Sequence, residues 1–300
     1  PKEERRDFMN IEVISGSTAY SLTDGTLTYL LGFTGCGMAP QHTINERGPM
    51  QHGASYVSYR LDPRLVNLAL ELPATSLATL ETAKNVLMGI FVPDASLQLR
   101  WTQDNGNVRQ LDCVFAGDMD MPSSDKRGYH QNVGVSLLAA DPTWYDPIQT
   151  LVSFQLSGGG TPWAIPWVIP WTIGASTLSA SITINNPGTF RAYPKFRITG
   201  PITNCIITNV ATSEVLNFTG TTIAAAAYYD IDCRYGYKTV IDNAAANKIA
   251  TLTAASDLAS FHLAAHPEAP NGNNSFTVTG TSVTAATAIY MTFNARYVGI

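Results

Sequence analysis

The chain has 300 residues, enough for one large or two ordinary domains, each with a sizeable core. Hydrophobic residues are 45% and charged residues only 14%, which excludes disorder and implies a surface suited to packing against other copies or other proteins, since charge is costly to desolvate. The net charge of -5, with no basic cluster beyond Arg5-Arg6 and Lys126-Arg127, excludes a face built to neutralise phosphates.

An ordinary Ser/Thr-rich β surface would have the same low charge, and composition leaves both readings open. The first residues, Pro1 to Asp7, are charged and lack the apolar stretch of a signal peptide. No apolar run reaches the roughly 18 residues of a membrane span. Synthesis in the cytoplasm is the expectation.

From Ile11 to Asp146 the pattern predicts strands and one helix. Val66, Leu68, Leu70 and Leu72 alternate with Asn67, Ala69 and Glu71, the period-two signature of a strand with one buried face. Leu97, Leu99 and Trp101 repeat it, as do Leu111, Cys113 and Phe115, then Val133, Val135 and Leu137. Asp104-Asn105-Gly106-Asn107 between two of these runs predicts a hairpin. Thr75 to Phe91 reads as the helix, with Thr75 or Ser76 as N-cap, Glu81 near the start, an apolar stripe of Leu80, Ala83, Leu87 and Ile90, and Pro93 as its stop. A β-sandwich with one helix laid on it is predicted for 1–152.

Residues 153–178 differ in kind. Gly158 to Gly174 carries Pro162-Trp163, Pro166-Trp167 and Pro170-Trp171 at four-residue spacing behind a triple glycine. Proline at this density excludes helix and central strand, so an extended, polyproline-like connector docked through its tryptophans is expected. From 179 to 300 short β runs such as Ser181 to Ile184, Lys195 to Ile198, Tyr228 to Cys233 and Phe276 to Val278 alternate with Asn, Gly and Pro. They predict a second β-sandwich of jelly-roll type. Ala224 to Ala227 is too short a run between β signals to be a helix.

The chemistry-bearing residues do not assemble into an active site. Cys36, Cys113, Cys205 and Cys233 form no C-x-x-C pair and are expected as free thiols. His42 and His52 bracket a Gly/Pro-rich stretch, and His262 and His266 precede Pro267; loop histidines are expected rather than metal ligands. Asp118/Asp120 and Asp230/Asp232 each sit two apart and would share a strand face, as in a glycosidase pair or, more ordinarily, on the wet face of any sheet. Phosphate-binding, nucleophile-elbow and zinc-protease motifs are missing. No catalytic, cofactor-binding or metal residue is assigned, and no enzyme activity is expected.

Several stretches, taken in order, resemble the distal tail (Dit) family of long-tailed siphovirus phages. Gly53 followed by Tyr59-Arg60-Leu61-Asp62-Pro63-Arg64-Leu65-Val66-Asn67-Leu68 is similar to that family's R-x-x-P-R strand. Phe91-Val92-Pro93, Arg109 to Cys113, and Ala139-Ala140-Asp141-Pro142-Thr143-Trp144-Tyr145-Asp146-Pro147 follow as in its N-terminal domain. Asn185-Asn186-Pro187-Gly188-Thr189-Phe190, Tyr193 to Pro201, and Tyr229 to Asp232 with Thr239-Val240 resemble its C-terminal sandwich. The family's Pro-Gly-Asn is replaced by Pro270-Asn271-Gly272-Asn273.

The resemblance implies a ring-forming N-terminal domain, closing as a hexamer around the tail channel, and a galectin-like outer domain. It implies a virion component of the tail tip or baseplate whose partners are a tail tube protein, a tail-tip hub protein and a receptor-binding protein. DNA would pass through the lumen without specific recognition, and carbohydrate would be bound, if at all, by the outer domain. The alternative is a carbohydrate-binding β-sandwich without a tail role, resting on Trp163, Trp167 and Trp171.

Overall fold

The computed structural model describes residues 10–154 and 177–300. They form two compact units, one reaching to Pro147 and including Tyr297–Ile300, the other Ile148–Arg296. The chain is mainly β, with a single α-helix among the described residues.

The first unit holds β1 (Asn10–Ser15), β2 (Thr18–Ser21), β3 (Tyr29–Thr34), β4 (Gln41–Glu46), β5 (Ser55–Leu61), β6 (Arg64–Leu72), α1 (Leu77–Ile90), β7 (Leu97–Thr102), β8 (Val108–Asp120), β9 (Lys126–Arg127), β10 (His130–Ala139) and β11 (Trp144–Tyr145). Its main sheet runs β2-β1-β7-β8-β10-β6-β3. The 13-residue β8 belongs to both halves: Val108 to Cys113 pair with β7, whereas Val114, Phe115, Met119 and Asp120 pair with β10. One apolar core serves both halves, with Ile11 and Val13, Leu97 to Trp101, Val66 to Leu72 and Val133 to Leu137 buried together.

The alternating runs predicted from sequence are these strands, and their apolar members are buried, Phe115 only in part. The hairpin turn also forms as expected, with Gly106 at φ +82° in the left-handed region that glycine adopts freely. The helix is shorter than Thr75 to Phe91. Ser76 caps it, its hydroxyl accepting from the Thr79 amide at 3.2 Å while the Thr79 hydroxyl accepts from the Ser76 amide at 3.0 Å, which satisfies donors the helix leaves open. Glu81 lies beyond the first turn and instead accepts from Lys84 at 3.0 Å. Leu80, Leu87 and Ile90 bury the expected stripe.

The second unit holds β12 (Thr150–Phe154), β13 (Thr177–Asn185), β14 (Lys195–Thr199), β15 (Ile202–Asn209), β16 (Glu214–Asn217), β17 (Thr222–Ile223), β18 (Tyr228–Asp232), β19 (Thr239–Asp242), β20 (Asn273–Thr281) and β21 (Ala288–Phe293). One antiparallel sheet runs β12-β21-β14-β18-β19; the other runs β13-β20-β15-β16 with β17 beside β15. Phe154, Phe196, Ile231, Ile289 and Phe293 from the first meet Ile184, Ile207, Leu216, Phe276 and Val278 from the second in one core. This is a two-layer β-sandwich. Ala224 to Ala227 forms a turn, with the Ala227 amide donating to Ala224 O at 3.1 Å.

One of the stretches that carry the resemblance, Asn185–Phe190, is clasped here by the Pro270–Asn273 stretch that departs from the family's pattern. The Asn186 amide donates to Gly272 O at 2.8 Å, and the Asn185 side chain donates to Asn271 O at 2.8 Å. Gly272 sits at φ +72°, and a Cβ there would lie 2.2 Å from Asn186 O, so no side chain fits. The Pro-Trp repeat with Trp163, Trp167 and Trp171 lies outside the described residues, as do Arg5-Arg6.

Candidate functional site

Surfaces rather than a catalytic centre stand out, and each unit has its own. In the first unit β4 and β5 pair only with each other. All of β4 is exposed, as is β5 up to Arg60. Neither strand shows the alternation of buried and wet residues that docking on a core produces. Ile44, Met50, Tyr56, Val57 and Tyr59 nevertheless expose 43% to 99% of their surface. The Gly/Pro-rich stretch bracketed by His42 and His52 predicts loop histidines; His42 instead lies on β4, and the pairing of β4 with β5 has no signal in that stretch.

A second apolar row crosses the outward face of the main sheet. Leu138 on β10 stands opposite Leu65 on β6 and Val114 on β8, all three exposed. Beside them Asn67 faces Ser136, whose hydroxyl donates to it at 2.8 Å, and Ala69 faces Gly134. The same face carries Asp120 on β8, the partner of Gly134, and next to that row Glu71, which lies 2.8 Å from His130.

Beneath that face is Arg64, the second arginine of the R-x-x-P-R stretch. It is fully buried. Its Nε donates to Pro142 O at 2.8 Å, Nη1 to Gly35 O and Gly37 O at 2.6 Å, and Nη2 to Val298 O at 2.6 Å. Burial pushes its pKa down, opposed by the neighbouring Cys36. One side chain thus ties together three segments far apart in sequence. Pro142 belongs to the Ala139 to Pro147 block, so the two most informative N-terminal stretches meet at this guanidinium.

In the second unit the outward face of β12-β21-β14-β18-β19 is a trough of about 690 Å³. Cross-strand register places Tyr290, Arg197 and Asp230 in one row and Thr292, Lys195 and Asp232 in the next. Arg197 is bidentate to Asp230, with both bonds at 2.7 Å, and lies 4.4 Å over the Tyr228 ring. Arg234 is bidentate to Asp232 at 3.0 and 2.8 Å and lies 4.1 Å over the Tyr237 ring. Burial would raise the Asp232 carboxyl, but the Arg234 hydrogen bonds and charge outweigh it and hold the pKa below its ordinary value. The expected face-sharing of Asp230 and Asp232 is therefore real, and each carboxylate is occupied by an arginine. The side chain of Asp118 lies outside the described residues.

Of the loop histidines, His262 is a buried and hydrogen-bonded one. It is 5% exposed, with Nδ1 3.2 Å from Glu214 Oε1 and 3.0 Å from Ser260 O, and Nε2 3.2 Å from Glu268 Oε1. Glu268 in turn accepts from Nε and Nη2 of Arg191. Burial disfavours charge on the imidazole, but Glu214 and then Glu268 outweigh it and raise the pKa. His266 is exposed, and Nε2 of His262 is taken by Glu268. Among the described residues no group of three His, Cys, Asp or Glu side chains is placed to hold a metal ion. No described helix is long and apolar enough to cross a membrane.

Cys36, Cys113, Cys205 and Cys233 are all buried free thiols. Burial pushes their pKa up, to about 11 for Cys36 and about 12 for Cys113 and Cys205.

No protein-family model matches the sequence, and no curated protein does. Solved structures do match. The Dit protein of phage SPP1, described as a paradigm of the hub adsorption apparatus in phages infecting Gram-positive hosts, has a TM-score of 0.66 at 11% identity, covering 95% of this chain and 98% of that one. A chain of the phage P2 baseplate in its activated conformation with calcium gives 0.50 at 9% identity, over 98% and 100% of the two chains. The corresponding structure with strontium gives 0.52 at 8% identity, over the same shares. One of the matched structures is a Dit protein, the family that the sequence resembles, and over nearly its whole length the chain has the fold of that SPP1 protein.

Proposed function

We propose that this chain is a structural subunit of a phage tail tip or baseplate, and that copies of it close into a hexameric ring joining the tail tube to the tail-tip hub and receptor-binding proteins. The observation that carries the reading is the β4–β5 ribbon. An isolated two-stranded hairpin is marginally stable in water. A ribbon with both faces exposed and five large apolar side chains on it needs a surface to lie on.

The outward face of the same unit supplies a candidate: the exposed apolar row Leu65–Leu138–Val114. Ribbon and face are different patches. A contact between different patches on identical subunits is heterologous, and where its rotation closes it repeats into a ring. The low overall charge suits the same end. The fold likeness to the SPP1 Dit hub protein supports the tail assignment, and the role proposed is non-catalytic.

Light scattering coupled to size exclusion tests the reading. The parent should run at about six chain masses. A variant with Ile44→Ser, Tyr56→Ser, Val57→Ser and Tyr59→Ser should run as a monomer with unchanged melting temperature, because those side chains contribute nothing to the subunit's own core. A parent that stays monomeric as concentration is raised would defeat the ring.

A further inference from the structure

We propose that the turn 265–269 is a proton-operated latch on the second unit, closed while the His262 imidazole bridges Glu214 and Glu268 and opened when the ring loses its second proton. The inference stands apart from the ring of subunits, because it uses only the second unit's own side chains.

The loop between β19 and β20 is fastened unevenly. Up to Ala264 it is tied to the sandwich by uncharged groups. Leu263 and Ala192 exchange both backbone bonds, at 2.7 and 3.1 Å. The Asn274 side chain bonds the amide and the carbonyl of Ala264 at 2.8 and 2.9 Å. The turn that follows is different. Its own bonds stay local, Ala269 N donating to Ala265 O at 3.0 Å and Gly272 N to Ala269 O at 2.9 Å. Among the described residues, the side chain of this turn that bonds outward is Glu268, to His262 and to Arg191. Burial adds only the methyl groups of Ala265 and Ala269. A segment held by so few contacts is the one that opens locally before the rest of its unit.

The bridge depends on a proton because of what the ring faces. A protonated imidazole donates from both nitrogens, and a neutral one from a single nitrogen. Nδ1 has two acceptors, Glu214 Oε1 at 3.2 Å and Ser260 O at 3.0 Å, whereas Nε2 has Glu268 Oε1 at 3.2 Å. The neutral ring therefore keeps its proton on Nδ1 and turns a lone pair on the Glu268 carboxylate. Glu214 stays put, because its Oε2 also accepts from the His262 amide at 2.9 Å and the Thr212 hydroxyl at 3.0 Å. What is left to the turn is the Arg191–Glu268 pair, with side chains 51% and 37% exposed, and a pair so wet contributes little.

The charges around the ring set the direction. Glu214 on β16 and Glu268 face it directly. Arg191 stands behind Glu268, and Lys238 acts on Glu214 from the other side. Cys233 also lies near Glu214, its thiol pushed up by burial and so uncharged. Burial disfavours the imidazolium, but Glu214 and then Glu268 outweigh it and raise the pKa. The latch is thus fully closed below the ordinary histidine value of 6.5 and opens as pH rises through the raised one.

Hydrogen exchange of the full chain, read by mass spectrometry at a series of pH values and corrected for the intrinsic pH dependence of exchange, tests this. Protection of the Ala269 and Gly272 amides should fall as pH rises, by about tenfold for each pH unit separating the folded from the ordinary histidine pKa. The Leu263 and Ala192 amides should stay protected throughout. In His262→Gln the protection at Ala269 and Gly272 should no longer change over that range. Glu268→Gln is the second variant: its amide can donate to the neutral Nε2, so its turn should also keep its protection. Flat protection in the parent, or a fall that persists unchanged in both variants, would overturn the proposal. Loss of protection at Leu263 together with Ala269 would overturn it too, since the unit would then be unfolding as a whole.

Discussion

Replacing Arg64 with Met is the most informative stability experiment, because its magnitude follows from the contacts. The guanidinium makes four hydrogen bonds of 2.6 to 2.8 Å to backbone carbonyls. Buried ion pairs exchanged for apolar residues are often neutral, because both charged partners leave together. Here the acceptors are the carbonyls of Gly35, Gly37, Pro142 and Val298, which stay behind whatever residue 64 becomes; Val298 O keeps the Ala39 amide at 2.9 Å, so the loss falls on the other three.

Each unsatisfied buried acceptor costs about 1 to 3 kcal/mol. Relaxation toward water and the lost cost of burying the cation offset part of that, leaving about 4 kcal/mol. For a unit of this size that lowers the melting temperature by roughly 8 to 16 °C. Arg64→Lys keeps the charge but presents three donors from one point, so it should recover only part of the loss. Differential scanning calorimetry of the three proteins checks this. An Arg64→Met protein that melts with the parent would refute the view that this side chain ties the unit together.

Leu138→Glu should leave the subunit folded, since Leu138 lies on the wet face, but should dissociate the oligomer; a ring of unchanged mass would clear that face of any role. Stability should also depend on pH through His262. Its folded pKa is raised by Glu214 and Glu268, so its contribution is complete below the ordinary histidine pKa and is lost as pH rises through the raised value. Glu214 is held below its ordinary pKa by His262 against the opposing effect of burial, and its contribution disappears as pH falls through that lowered value. Chemical denaturation should therefore find weaker stability in alkaline buffer for the parent and a flatter alkaline limb for His262→Gln; equal slopes would sink the clasp. A thiol reagent such as dithionitrobenzoate should react negligibly with the native protein and with all four cysteines in guanidinium, and fast native labelling would contradict their burial.

What was legible in the sequence was local. The alternation along β6, β7 and β10, the helical stripe and the Asn-Gly turn are each written within a few consecutive residues. The β4–β5 ribbon was not legible, because a strand wet on both faces leaves no period to read. Arg64 appears in sequence as a charged residue opening a strand. Its acceptors lie 29, 27, 78 and 234 positions away, and only the fold gathers them. His262 likewise meets a carboxylate 48 residues away. The trough was half legible. Asp230 and Asp232 two apart on one strand, with Lys195 and Arg197 two apart on another, are complementary patterns. Only the register of β14 against β18 sets each cation opposite each carboxylate and turns two solvated pairs into one surface.

The central claim is assembly through the first unit. Negative-stain electron microscopy of the purified chain at micromolar concentration tests it most directly. Class averages should show closed rings with sixfold symmetry and a central channel, and the ribbon variant should show none. Fields of single subunits from the parent, or open filaments in place of closed rings, would contradict the account.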